Sequence, residues 1–197
     1  MRTKSLNAAV ASALLAATLS TTAGATTINV VPNGTWYEFD VDDWYSTSGG
    51  VEWIDNIFDD AGLYTGDGSA LGFAFTLTQA AVLTVVDAGF AGDEFKVTVN
   101  GHDYFTSASL DPDSSSVSTN FDAALADGHR YSYLNLVLDP GTYFVTGLLT
   151  QSALDETGHP YNATVGGLKV SAVPVPATGW LFGSALIAGI GVARRRR

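Results

Sequence analysis

The chain has 197 residues, no cysteine, and 20 Asp and Glu against nine Lys and Arg, giving a formal net charge of −11 at pH 7. Without cysteine there is no disulfide framework, no thiol nucleophile and no thiolate-bound metal. The bases are concentrated at the ends: between residues 26 and 172 only Lys96, Arg130 and Lys169 stand against all 20 acids, which excludes nucleic acid, whose recognition needs clustered Lys and Arg, and disfavours anionic lipid.

In chain order, the first segment reads as an export signal. Arg2 and Lys4 form a positive start, residues 8–19 are uncharged and rich in Ala and Leu, and Ala23-Gly24-Ala25 supplies the small-x-small pattern that signal peptidase accepts. That order of features favours export over a buried N-terminal helix. Residues 1–25 are therefore expected to be removed as a signal peptide, leaving a mature chain that begins near Thr26.

Residues 26–172 have the size of one domain with its own core. A period of two dominates them. Leu71, Phe73, Phe75 and Leu77 alternate, as do Phe95, Val97 and Val99, and Leu134, Leu136 and Leu138, so each run predicts a strand with one buried face. Residues 80–89 are apolar on both faces and predict a central strand. Further strands are predicted at residues 27–31, 36–40 and 166–171, and one short helical turn at 120–128. Asn100-Gly101 predicts a two-residue hairpin turn, and Asp139-Pro140-Gly141 is expected to join its flanking strands in the same manner. Eight to ten short strands of this kind predict an all-β fold, an antiparallel β-sandwich or jelly roll.

The last 25 residues, 173–197, combine a proline pair, an uncharged run and the cluster Arg194, Arg195, Arg196 and Arg197. The uncharged run is close to the ~20 residues that span a bilayer as a helix, and the arginines would hold on the cytoplasmic side and stop translocation. On chain physics alone a permanent C-terminal anchor would look the same. The full pattern, Val173-Pro174-Val175-Pro176 followed by "ATGWLFGSALIAGIGVARRRR", resembles a PEP-CTERM sorting signal, with Val175 standing where the family motif has glutamate. The resemblance implies a Gram-negative source and cleavage near Pro174 to Pro176 by an exosortase. It also implies transient anchoring in the inner membrane and delivery to the cell surface or an exopolysaccharide-rich, biofilm-type matrix. A second stretch, "LTVVDAGFAGDEFKVTVNGHDYFTSAS" followed by "LDPGTYFVTGLLTQS", resembles a β-sandwich module of other secreted and PEP-CTERM proteins over roughly residues 70–172, and implies a fold without an activity. The expected chain is thus a sandwich flanked by a signal-peptide helix and a transmembrane sorting helix, with signal peptidase and exosortase as its processing partners.

Three groups of side chains are candidate sites. Acidic clusters occur at Asp40, Asp42 and Asp43, at Asp55, Asp59 and Asp60, and at Asp111 and Asp113. They serve either solubility or the capture of Ca²⁺, which prefers carboxylate and carbonyl oxygens; Asp40, Asp42 and Asp43 are the favoured ligands, although no Asp-x-Asp-x-Asp-Gly loop is present. Trp36, Trp44 and Trp53 lie close together with Tyr37, Tyr45 and Tyr64. Trp36 and Trp53 are expected in the core, which leaves Trp44 and Tyr45 as candidates for a carbohydrate platform. His102, His129 and His159 are isolated and no Gly-x-Ser-x-Gly or His-x-x-x-His pattern occurs, so no enzyme and no cofactor beyond Ca²⁺ is expected. A structural or adhesive surface protein is the leading reading, with a carbohydrate- or calcium-binding module as its alternative.

Overall fold

The computed structural model describes residues 24–55, 57–58, 64–110 and 115–173. The signal segment through Ala23, the tail from Pro174 to Arg197 and Asp59, Asp60, Asp111 and Asp113 lie outside the described residues, so the expected terminal helices do as well. Among the described residues no helix is long and apolar enough to cross a membrane.

The strands run in order as β1 (Thr26–Asn29), β2 (Asn33–Asp42), β3 (Ile57–Phe58), β4 (Tyr64–Thr65), β5 (Leu71–Leu77), β6 (Ala81–Asp87), β7 (Glu94–Val99) and β8 (His102–Phe105). One helix, α1 (Phe121–Asp127), then precedes β9 (Tyr133–Leu138), β10 (Gly141–Gln151) and β11 (Ala163–Ala172). A five-stranded sheet has the order β1-β5-β10-β7-β8, a four-stranded sheet the order β2-β11-β6-β9, and β3 pairs with β4 alone. The alternating residues of β5 and β7 on one sheet, and Phe39, Val41, Leu83, Val85, Leu168 and Val170 on the other, share one core. This is the packing of a sandwich.

β6 lies inside its sheet between β11 and β9, and its outer face is covered as well. There Val86, Ala88, Ala91, Phe121, Ala124 and Tyr131 form a second cluster beneath α1, which is why the sequence of β6 is apolar on both faces. The Asn120 side chain caps the helix by accepting the Ala123 N–H, and Gly128 closes it at φ 57°.

Three expectations need correction. The sandwich is not wholly antiparallel, since β1 runs parallel to β5; the chain leaves β1 for the other sheet and returns beside it only after the long excursion through residues 43–70. The turn at 139–140 does not close a hairpin, because β9 pairs with β6 in one sheet and β10 with β5 and β7 in the other, so the turn is an arch between sheets. Trp36 is half-buried on the outer face, not in the main core, with its ring 5.4 Å from that of Phe121, its Nε1–H donated to Asp122 and Lys169 Nζ 4.1 Å above it. The Asn100-Gly101 turn does close the β7–β8 hairpin, with φ values of 48° and 82°. Its Asn100 side chain also bonds Thr142 O and the Phe144 N–H of β10.

Residues 52–54 close one end of the sandwich. Glu52 bridges to Leu148 of the first sheet and Ile54 to Asp40 of the second, which drives the intervening Trp53 into the space between them. The end so closed collects the last residues of β2, β6 and β10 and the first of β5, β7 and β11.

Candidate functional site

That end carries two adjoining hollows. The first, about 380 Å³, is lined by Glu38, Asp40 and Asp42 of β2, Gly89 and Phe90 of the β6–β7 loop, and the start of β11. The second, about 800 Å³, lies between the same loop and residues 151–161. Phe90 lines both, and Tyr161, on the side of the second, stacks on it with the rings 5.4 Å apart and more than two-fifths of each residue in solvent, at 44% and 43%. Neither residue stood out in the sequence, since Phe90 sits in a glycine-rich loop and Tyr161 in a segment without periodicity.

The three expected calcium ligands are placed in different roles. Asp40 and Asp42, two apart on β2, line the first hollow together. Burial raises the Asp40 carboxyl to about 8, with the charges of Glu38 and Asp42 acting in the same direction; burial also raises Glu38. Asp42 Oδ1 accepts the N–H groups of Trp44 and Tyr45 at 2.9 and 3.3 Å, which shapes the turn after β2. Asp43 instead accepts from Asn162 Nδ2 at 3.1 Å and so ties that turn to the strand entry beside Tyr161. Among the described residues no three His, Asp or Glu side chains converge as a metal-binding group.

Trp53 is fully buried, as expected, whereas Trp44 is 86% exposed and Tyr45 44%. The Asp42 and Asp43 bonds hold the Trp44 turn in place while its ring stays open to solvent among the described residues. An exposed indole, an exposed Phe–Tyr stack and a carboxylate-lined hollow therefore share one end of the molecule.

Behind this face lie two further carboxylates. Asp87 ends β6 and Asp93 precedes β7, and both are completely buried. Asp93 Oδ1 accepts the Ala153 N–H at 2.8 Å. Backbone N–H groups of Ala88, Gly92 and Asp93 ease the charge on Asp87, but none reaches hydrogen-bond geometry. Burial and the charge of Asp93 push the Asp87 carboxyl well above its ordinary range, and burial raises Asp93 to about 6. The sequence held one signal of this pair: an aspartate closing a strand that is otherwise apolar on both faces.

No family model and no curated protein matches the chain. Among solved structures it is similar to the pre-peptidase C-terminal domain of a collagenase from Bacillus anthracis, at 9% identity and a TM-score of 0.35, over 75% of this chain and 94% of that one. Its own strands define the chain as an all-β protein built of two facing sheets.

Proposed function

We propose that the chain is an exported, exosortase-processed protein of the cell surface or extracellular matrix, and that its adhesive role is the binding of matrix exopolysaccharide by the Trp44 face. The observation that carries the binding half is the bare Trp44 ring on a fixed turn. An indole left in water forgoes about 2 kcal/mol of burial, and large exposed apolar side chains held together mark interaction surfaces. The C–H faces of sugar rings match flat aromatic rings, and sugar hydroxyls match the oxygens of Glu38, Asp40 and Asp42 in the adjoining hollow. The address half rests on the terminal patterns. β1 begins at Thr26 and β11 ends at Ala172, with the Val173 N–H still bonded to Ala80 O, a folded unit that fits between the two expected processing points.

The test is titration of purified matrix polysaccharide into the protein. Trp44→Ala is expected to weaken binding at least ~10-fold, the effect of losing a central aromatic anchor, with a nearly unchanged melting midpoint because the residue is 86% exposed. Undiminished binding by Trp44→Ala would sink this reading of the face.

A further inference from the structure

We propose that Asp87 and Asp93 form a divalent-cation site, suited to Ca²⁺, that fastens the β6–β7 loop to the segment around Ala153 and to β11. Both side chains are fully buried, and a buried carboxyl that is neither hydrogen-bonded nor paired with a cation either keeps its proton or binds a metal. Hydrogen bonding does not suffice here: Asp93 Oδ1 has its donor in Ala153, while Asp87 Oδ1, Asp87 Oδ2 and Asp93 Oδ2 have none.

No basic side chain fills the gap. The three bases between residues 26 and 172 are engaged elsewhere, Lys96 with Asp103 at 3.2 Å, Arg130 with Asp127 at 2.6 Å and Lys169 with Asp122 at 3.2 Å. Neutral oxygens lie beside the pair: the Thr164 and Ser152 hydroxyls are near enough to ease the charge on Asp93 as donors, without reaching hydrogen-bond geometry at its Oδ2. The Thr164 hydroxyl is weakly held, its contacts to Ala88 O and Val165 O being 3.4 and 3.5 Å. Carboxylate and hydroxyl oxygens without nitrogen or sulfur select a hard cation, and waters bring Ca²⁺ to the six to eight oxygens it requires. The favoured ligands thus move from Asp40, Asp42 and Asp43 to a buried pair in which three of the four carboxyl oxygens have no hydrogen-bond donor. Phe90 lies within the loop such an ion would fix, and Tyr161 stacks on it, so the ion would also hold the ring that lines both hollows.

With only two carboxylates, the affinity falls in the range of extracellular calcium modules, roughly 10⁻⁴–10⁻³ M. The test is calorimetric titration and thermal melting of the EDTA-treated full chain at constant ionic strength. Saturable Ca²⁺ binding is expected, with a midpoint rise of about 3–10 °C at 10 mM and a smaller response to Mg²⁺. Asp87→Asn and Asp93→Asn should abolish the response and leave the metal-free fold at least as stable, since each removes half of a like-charge pair, whereas Asp43→Asn should retain it. Should Asp87→Asn fail to fold, Asp93→Asn and Thr164→Val read the same site. No binding at 10 mM Ca²⁺ would overturn the proposal. So would a midpoint rise that Mg²⁺ matches and the Asp93→Asn protein keeps, which is screening of an acidic surface, or one that Asp43→Asn removes.

Discussion

Trp53→Ala is expected to destabilise the protein by about 3–5 kcal/mol, the cost of emptying a fully buried aromatic site, and to lower the melting midpoint by roughly 6–20 °C. Trp53 is the largest fully buried side chain among the described residues. It stacks on Phe39 at 3.9 Å and meets the edges of Phe73 and Phe95 at 6.0 and 6.2 Å, so its loss opens a cavity that neighbours from two rigid sheets cannot collapse into. Glycines make room for the stack on both sides. A Cβ at Gly147 of β10 would sit 2.3 Å from the Trp53 ring, and one at Gly166 of β11 only 2.2 Å from the Phe39 ring. Gly147→Ala and Gly166→Ala are therefore each expected to cost about 1–3 kcal/mol by overpacking. Gly147→Ala combined with Trp53→Ala should cost less than the sum of the two, because the second change removes the ring the first one strikes. Circular-dichroism melts of the four variants measure all of this, and a midpoint for Trp53→Ala within 2 °C of the parent would refute the assigned core.

Stability should fall as pH rises across the neutral range, opposite to the trend of a protein whose acids are ion-paired. In the unfolded chain Asp40 ionises near its ordinary 3.8, whereas in the fold burial, Glu38 and Asp42 hold it at about 8. Between those values the folded state keeps a proton the unfolded state has released, so raising the pH favours unfolding. The contribution is intact below pH ~4, declines up to pH ~8 and is constant beyond. At ~1.4 kcal/mol for each pH unit of displacement, reduced by partial access to solvent, the loss is on the order of 2–4 kcal/mol. Glu38 acts with the same sign. Asp40→Asn cannot ionise; it is expected to match the parent at pH 4 and to melt several degrees higher at pH 9. Urea unfolding at a series of pH values in EDTA reads the slope, and equal pH dependence in parent and variant would show that Asp40 ionises freely.

Much of the sheet structure was legible because its signal is local. Leu71 to Leu77 and Phe95 to Val99 alternate with the period of a strand, and the positive φ of Asn100 and Gly101 follows from the residues themselves. Which sheet a strand joins is not local. Leu138 and Gly141 flank a turn that looks like a hairpin from either side, yet the chain changes sheet there, a choice made by the partners β6 and β5 from far along the sequence. The same holds for Trp36 and Trp53. Both sit in aromatic stretches, but only Trp53 is carried between the sheets by its bridges, while Trp36 is left to cover α1 and Lys169.

The candidate face was half legible. Trp44, Tyr45, Asp40 and Asp42 were visible as an aromatic and acidic cluster, and the structure gathers them at one end. Phe90 and Tyr161 come together only through the fold, across 71 positions of chain that carry no shared pattern. Asp87 and Asp93 were hidden by a different cause: a charged residue at a strand end usually faces water, but Asp87 shares the inward face of β6 with Leu83 and Val85, opposite the face that α1 covers, and the Ala153 N–H closes over Asp93.

The central claim is that this sandwich is delivered outside the cell and freed of both terminal addresses. Intact-mass spectrometry of the protein recovered from the surface and medium of its native cells, with and without the exosortase, tests it most directly. The expected species begins near Thr26 and ends near Pro174 to Pro176, and the trimmed C-terminus disappears when the exosortase is deleted. A chain that keeps Arg197 in both strains would contradict the account and make the tail a permanent anchor.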